Sequence, residues 1–273
     1  LINKNDLSHI VNLDKLTYAG NISNLSQVSN SRHTLIEGDI CDSDLVKSLF
    51  DKYEFESVIH FAAESHVDRS IDGPSNFIHT NIVGTLNLLE HARSYFSKTK
   101  NEDFRFLHVS TDEVYGSLDD GGKFLESTPY DPSSPYSASK AGSDHLVRAW
   151  NRTYELPTLI TNCSNNYGPF QFPEKLIPLV ILNAIDLKKI PIYGDGKQIR
   201  DWIFVTDHCE ALKEILSKGS IGETYNIGGN CECQNIDLVK KICLILDELS
   251  PIKKTEKKLK KYSDLIHFVQ DRP

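Results

Sequence analysis

A strand that ends in Ser-Thr-Asp-Glu, followed by a helix that opens with Tyr-x-x-x-Lys, constrains this chain more than any other stretch. Phe104-Arg105-Phe106-Leu107-His108-Val109 alternates apolar residues and runs straight into Ser110-Thr111-Asp112-Glu113. Such a run reads as a strand that delivers polar side chains at its C-terminal end. Further on, Ser134 is a good N-cap, and Pro135 suits the first helical position because its missing N–H would have no partner there. The helix predicted over 135–154 puts Tyr136 and Lys140 on one face. An ammonium beside a phenol favours tyrosinate, and so does the positive end of a helix dipole. A tyrosine in that setting can take a proton from a hydroxyl near neutral pH. Tyr-x-x-x-Lys alone is a weak signal; a hydroxyl-carboxylate-carboxylate cluster before it makes it a strong one.

The surrounding sequence alternates strand and helix. Strands are predicted over 10–14, 33–40, 57–63, 104–109 and 157–163, and helices over 42–52, 74–97 and 135–154. Ser57 to Ala63 is a continuous apolar run, as a buried parallel strand requires. The alternation argues for an α/β fold, a doubly wound, Rossmann-like parallel sheet. In such a fold the second strand ends in an acid that binds the adenosine ribose, about 20 residues after a Gly-x-Gly-x-x-Gly turn. Asp14 suits that acid, and an aspartate there repels the extra phosphate of NADP, so NAD is the expected cofactor. Counting back from Asp14 places the glycine turn before Leu1, and no such pattern occurs within the chain. The reading therefore expects a fragment that lacks the turn, the first strand and the C-terminal end. The lack of methionine and the stop at Asp271-Arg272-Pro273 point the same way.

Residues 1–164 read as the dinucleotide-binding domain. Residues 165–273, whose elements are shorter, read mainly as a smaller lobe, with some segments returning to the sheet. A net charge of -8 argues against a nucleic-acid binder. The six cysteines lack metal-like pairing and suit reduced thiols of a cytoplasmic protein, and no metal is expected. No apolar run approaches the ~20 residues that span a bilayer. The loop over 118–133 is rich in Gly, Asp, Ser and Pro, as a site-covering loop would be. The charge run from Lys253 to Lys261 reads as a solvated face or mobile loop.

Over nearly its whole length the chain resembles the short-chain dehydrogenase/reductase superfamily in its extended, nucleotide-sugar-modifying branch. The Thr111-Asp112-Glu113 trio is similar to that of the dTDP-glucose 4,6-dehydratases in that branch. The resemblance implies oxidation at carbon-4 of a hexose, loss of water across carbon-5 and carbon-6, and return of the hydride to carbon-6. Tyr136 would take the carbon-4 hydroxyl proton, with Lys140 lowering its pKa and binding the nicotinamide ribose. Thr111 would bond the carbon-4 oxygen, with Glu113 the carbon-5 base and Asp112 the carbon-6 acid. Residue chemistry alone asks only that the carboxylates' environments differ and leaves open which is the acid.

By the same resemblance the cofactor positions are Asp14, Lys15, Leu16, Thr17, Asp39, Ile40, Phe61, Ala62, Ala63, Ser65, Thr80, Asn166 and the Tyr136–Lys140 pair. The substrate positions are Ser65, Thr111, Asn165, Lys175, Leu176, Pro191, Ile192, Tyr193, Arg200, Asn235, Asp271 and Arg272. Arginine suits diphosphate because its fork donates bidentate bonds. A homodimer is expected on the helices from Pro74 and Pro135, the latter through Leu146, Val147, Trp150 and Tyr154. A UDP-sugar epimerase or decarboxylase would share Tyr136, Lys140 and the NAD site, and a non-catalytic sugar-nucleotide binder remains a third reading. Only the resemblance favours thymine over uracil.

Overall fold

The computed structural model describes residues 9–28, 31–118, 122–252 and 259–271; Arg272 and residues 253–258 of the charge run lie outside them. In chain order the strands are β1 (Ile10–Asp14), β2 (His33–Glu37), β3 (Ser57–His60), β4 (Arg105–Thr111), β5 (Thr158–Cys163), β6 (Asn165–Tyr167), β7 (Ile190–Tyr193), β8 (Ile199–Phe204), β9 (Thr224–Ile227), β10 (Glu232–Gln234) and β11 (Ile266–Val269). The α-helices are α1 (Ser43–Lys52), α2 (Val67–Asp72), α3 (Pro74–Phe77), α4 (Thr85–Thr99), α5 (Pro135–Tyr154), α6 (Leu176–Ile185), α7 (Val205–Lys218) and α8 (Asn235–Leu249). Two compact units result, one of residues 1–163 with 209–227, the other of residues 164–208 with 228–273.

The first unit is Rossmann-like. Strands β3, β4, β5 and β9 form a parallel ladder in the order β3-β4-β5-β9. Strands β1 and β2 pair parallel in a ladder of their own, and among the described residues no ladder joins β1 to β3. Phe104, Phe106, Leu89, Val147 and Leu156 are wholly buried in the core between sheet and helices. Each side chain of that size contributes ~1.5–3 kcal/mol by leaving water.

Helix α5 begins and ends where the sequence predicts, because its start is set locally. Ser134 accepts from Ser137 N while Ser137 Oγ accepts from Ser134 N, a reciprocal cap, and Pro135 follows. The expected single helix over 74–97 is instead interrupted by a π-helical turn at Ile78–Gly84, flanked by α3 and α4. Asn81 sits in that turn, 1% exposed. Its amide accepts from Glu64 N (2.9 Å) and donates to Glu64 O (2.9 Å) and Ser139 Oγ (2.8 Å). Gly84 lets the turn close on Ile40, whose Cδ1 occupies the space a Cβ would need.

Other expectations shift by a few residues. Strand β3 stops at His60, so Phe61, Ala62 and Ala63 leave the sheet. The segment read as a loop at 64–70 contains α2, whose N-cap is His66, with its ring nitrogen facing Arg69 N. Val147 is 0% exposed and belongs to the core, so it is withdrawn from any subunit interface; Tyr154, Ile78 and Val83 keep exposed faces.

The second unit has its own core of Val180, Ala184, Ile190, Ile192, Val239 and Cys243. Strand β8 pairs parallel with β6 and antiparallel with β10, and β7 pairs parallel with β11. The short strands β6, β10 and β11 were not expected from sequence. Among the described residues no helix is long and apolar enough to cross a membrane.

Candidate active site

In the first unit, β4 delivers Thr111 to the C-terminal edge of the ladder, and a 3-10 turn at Asp112–Tyr115 follows. Thr111 caps that turn: its Oγ1 accepts from Glu113 N at 3.2 Å and faces Asp112 Oδ1 at 3.4 Å. Gly116 closes it at φ 86, where a Cβ would run into the Asp131 carbonyl. Asp112 and Glu113 are half-buried, whereas Thr111, Tyr136 and Lys140 are buried.

Tyr136 is the meeting point of these groups. Burial pushes its hydroxyl well above the ordinary tyrosine value, and the charges of Glu113, Cys163 and Asp112 push the same way. A hydrogen bond with Thr111 opposes them. The sequence reading had Lys140 drawing the tyrosine down, whereas burial and the neighbouring carboxyls act in the opposite direction. The Lys140 ammonium points instead to the Val109 carbonyl, at 2.9 Å. Burial lowers the lysine, and Asp144 and Cys163 pull it back up. Sequence reasoning missed Asp144, although its position one turn beyond Lys140 was a readable signal.

The cofactor positions of the first unit cluster around strand ends. Asp14 is exposed at the end of β1, and one of its oxygens accepts from Leu16 N at 2.8 Å. Lys15 bridges to Asp39 at 2.6 Å, and the Arg69 guanidinium lies 3.6 Å over the Tyr18 ring, so the loop from Lys15 to Gly20 is held at two points. For Asp39, burial raises the carboxyl, but bonds from Lys15 and Cys41 N bring it below its ordinary value. Ile40 is 6% exposed and packs in the core, so its side chain is unsuited to a cofactor contact. Phe61 is 54% exposed, Ala62 and Ala63 are half-buried, Thr17 and Ser65 are exposed, and Thr80 lies on the π turn.

The second unit brings some of its expected residues together. Gln198 links two of them: its carbonyl accepts from Asn235 N (3.0 Å) and its Nε2 donates to Asp271 (3.1 Å). Asp271 also packs against Gly194, next to Tyr193. Arg200 is exposed on β8, opposite Cys233 of β10. Among the described residues the buried Asn235 Oδ1 atom has no hydrogen-bond partner. Pro191 is half-buried, and Ile192 is 2% exposed in the core, so its side chain is not a ligand group. Lys175 caps α6 ahead of Leu176, and Asn165 is half-buried on β6. The Asn166 amide is committed to His208 (2.8 Å) and to the Ser164 carbonyl (3.1 Å).

A family model described as GDP-mannose 4,6 dehydratase matches residues 1–273. A dTDP-glucose 4,6-dehydratase from Neisseria meningitidis serogroup B is 58% identical, over 99% of this chain and 77% of its own length. One from Salmonella typhimurium is 56% identical, over 99% and 77%. Among solved structures, DesIV from Streptomyces venezuelae, a dTDP-glucose 4,6-dehydratase with NAD bound, matches with TM-score 0.86 at 44% identity, covering 98% of this chain and 76% of that one. A UDP-glucose 4-epimerase from Thermotoga maritima matches with TM-score 0.81 at 25% identity, over 97% and 78%.

Proposed function

The chain belongs to the GDP-mannose 4,6 dehydratase family, where it stands with the dTDP-glucose 4,6-dehydratases, and from that premise we propose that it is an NAD-dependent hydro-lyase converting dTDP-glucose to dTDP-4-keto-6-deoxyglucose. The observation that carries this reading is the convergence of the Thr111 hydroxyl and the Asp112 and Glu113 carboxyls on the buried Tyr136 hydroxyl. An epimerase needs the tyrosine but has no use for two adjacent carboxyls beside it.

The residues fit the cofactor. Asp14 is an acceptor-only group where paired ribose hydroxyls need one, and Ala62 and Ala63 leave the backbone open to close approach. NAD, when bound, supplies the two-electron acceptor for carbon-4 and returns the same electron pair to carbon-6. Tyr136 takes the carbon-4 hydroxyl proton, and Thr111 bonds the oxygen that becomes a ketone. That ketone acidifies the carbon-5 hydrogen, which Glu113 removes. Asp112 gives a proton to the departing carbon-6 hydroxyl, so water leaves. Glu113 then returns its proton to carbon-5, and the proton on Tyr136 balances, through solvent, the one Asp112 gave up. Arg200 and Asn235 are groups of the second unit assigned to the nucleotide diphosphate, and Asp271 is assigned to the substrate without that role.

The same reading carries a cytoplasmic homodimer, with Ile78, Val83 and Tyr154 as the exposed apolar groups on its helices. An active monomer in sedimentation would refute the dimer. The activity itself is tested with dTDP-glucose deuterated at carbon-4: the label should appear at carbon-6 of a 4-keto-6-deoxy product. A carbon-4 epimer, or conversion of UDP-glucose alone, would overturn the assignment.

A further inference from the structure

The turn that carries Asp112 and Glu113 runs only from Asp112 to Tyr115, and one 3-10 turn holds its own shape poorly. Its closing backbone bond, from Gly116 N to Glu113 O, is 3.4 Å long. A side-chain junction outside the turn supplies further support. Tyr115, 2% exposed, donates from its hydroxyl to Asn226 Oδ1 at 2.8 Å. Asn226 lies on β9, the edge strand of the ladder, in register with Asn162 of β5. Its Nδ2 donates to the Phe124 carbonyl at 3.2 Å. Its backbone N–H, of the kind an edge strand turns outwards, donates to Glu126 Oε1 at 3.0 Å. The Phe124 ring stacks on Tyr115 with centroids 5.0 Å apart, and Tyr130 meets the Tyr115 ring edge-on at 5.2 Å. Asp131 N closes the circuit by donating to the Val114 carbonyl at 3.0 Å.

We propose that Asn226 is a positioning residue for the elimination of water: it ties Tyr115 to the segment from Phe124 to Glu126 and so fixes where the Asp112 and Glu113 carboxyls stand. The inference rests on the dehydratase reading of those two carboxyls. The two halves of that reaction draw on differently supported groups. Oxidation at carbon-4 uses Tyr136 and Lys140, on a long helix with its own cap, and Thr111, held in register with Cys163 of β5. Neither support uses the Asn226 side chain. Proton removal at carbon-5 and proton delivery at carbon-6 use two adjacent side chains of one short turn, so their reach depends on how that turn is held. Asparagine suits the junction because its amide accepts at one atom and donates at the other, serving the phenol and the carbonyl at once. Leucine, of similar size, does neither and leaves the Tyr115 hydroxyl and the Phe124 carbonyl without this partner.

The test separates the two halves in a single turnover. NAD-loaded enzyme is mixed with dTDP-glucose; the rise of reduced-nicotinamide absorbance times carbon-4 oxidation, and its fall, with the appearance of 6-deoxy product, times water loss and hydride return. Tyr115→Phe keeps the ring on Phe124 and removes only the bond to Asn226. It should leave the rise within about twofold of wild type and slow the fall about tenfold, so reduced nicotinamide accumulates. Asn226→Leu breaks both side-chain bonds and should slow the fall by about 10²-fold, again with the rise nearly unchanged. A merely structural role would slow rise and fall alike. Equal slowing of both phases, or a fall unchanged in both variants, overturns the inference; if Asn226→Leu does not fold, Tyr115→Phe decides alone. Wild-type enzyme that never reduces NAD would instead overturn the dehydratase reading.

Discussion

Lowering the pH from 6.5 to 5.5 should destabilise the first unit through two histidines that the fold keeps neutral. His60 and His108 are 3% and 0% exposed, with ring centroids 5.0 Å apart. Burial is the main cause that holds each well below its ordinary value of 6.5, and the Lys140 charge adds to it. Unfolded, each would protonate as pH falls through 6.5; folded, neither does. Stability is therefore complete well above 6.5 and is lost on acidification through it, about 1.0 kcal/mol for each histidine between 6.5 and 5.5 and towards a limiting slope of about 1.4 kcal/mol per pH unit below that. Asp144 works against them, since its raised carboxyl gains a proton in the fold first, and it can offset at most about 1.4 kcal/mol per unit. The net loss over this unit of pH is thus about 0.6–2.0 kcal/mol, a sizeable share of the ~5–15 kcal/mol that holds a domain together. Urea unfolding followed by Trp150 fluorescence in a Trp202→Phe background reports on the first unit. The variant His108→Gln can keep a bond to Ser143 and should lose about 1.0 kcal/mol less than wild type over the same interval. Equal losses in the two proteins, or a wild type that gains stability on acidification, would refute the reasoning.

The remaining predictions concern the site. Asp112→Asn should still oxidise carbon-4 and accumulate reduced nicotinamide, while Glu113→Gln should suppress carbon-5 exchange with solvent deuterium; each should cost about 10²–10⁴ in turnover. Undiminished product release by Asp112→Asn would show that another group is the acid. Gly116→Ala forces a side chain onto φ 86 and against the Asp131 carbonyl, so it should lower stability by about 1–3 kcal/mol and slow turnover, read from a thermal melt and a product assay. Arg69→Ala removes the guanidinium over Tyr18 and should speed NAD loss, measured as cofactor remaining after gel filtration, with little change in the melt.

Where the signals are local, sequence and structure agree. Helix α5 starts at Pro135 because Ser134 and Ser137 cap it within one turn, and it carries Tyr136 and Lys140 on one face whatever surrounds it. The apolar runs that became β4 and β5 needed only their own hydrophobicity to be recognised. The Thr111-Asp112-Glu113 trio was likewise legible as a polar cluster at a strand end. Contacts between residues far apart decided the rest. The π turn at Ile78–Gly84 is held by Asn81 reaching Glu64 and Ser139, partners that no window around Asn81 contains. Strands β6, β10 and β11 have only three or four residues each, too short for a periodic signal, and exist because β8 and β7 offer them backbone partners. Ile40, Val147 and Ile192 read as site or interface residues in one dimension and are core in three, because burial depends on which elements stack over them. Most of all, the proton affinity of Tyr136 could not be read from its spacing to Lys140. Spacing sets which groups share a helix face, but a pKa is set by depth from water and by every charge within reach. Those are properties of the folded interior alone.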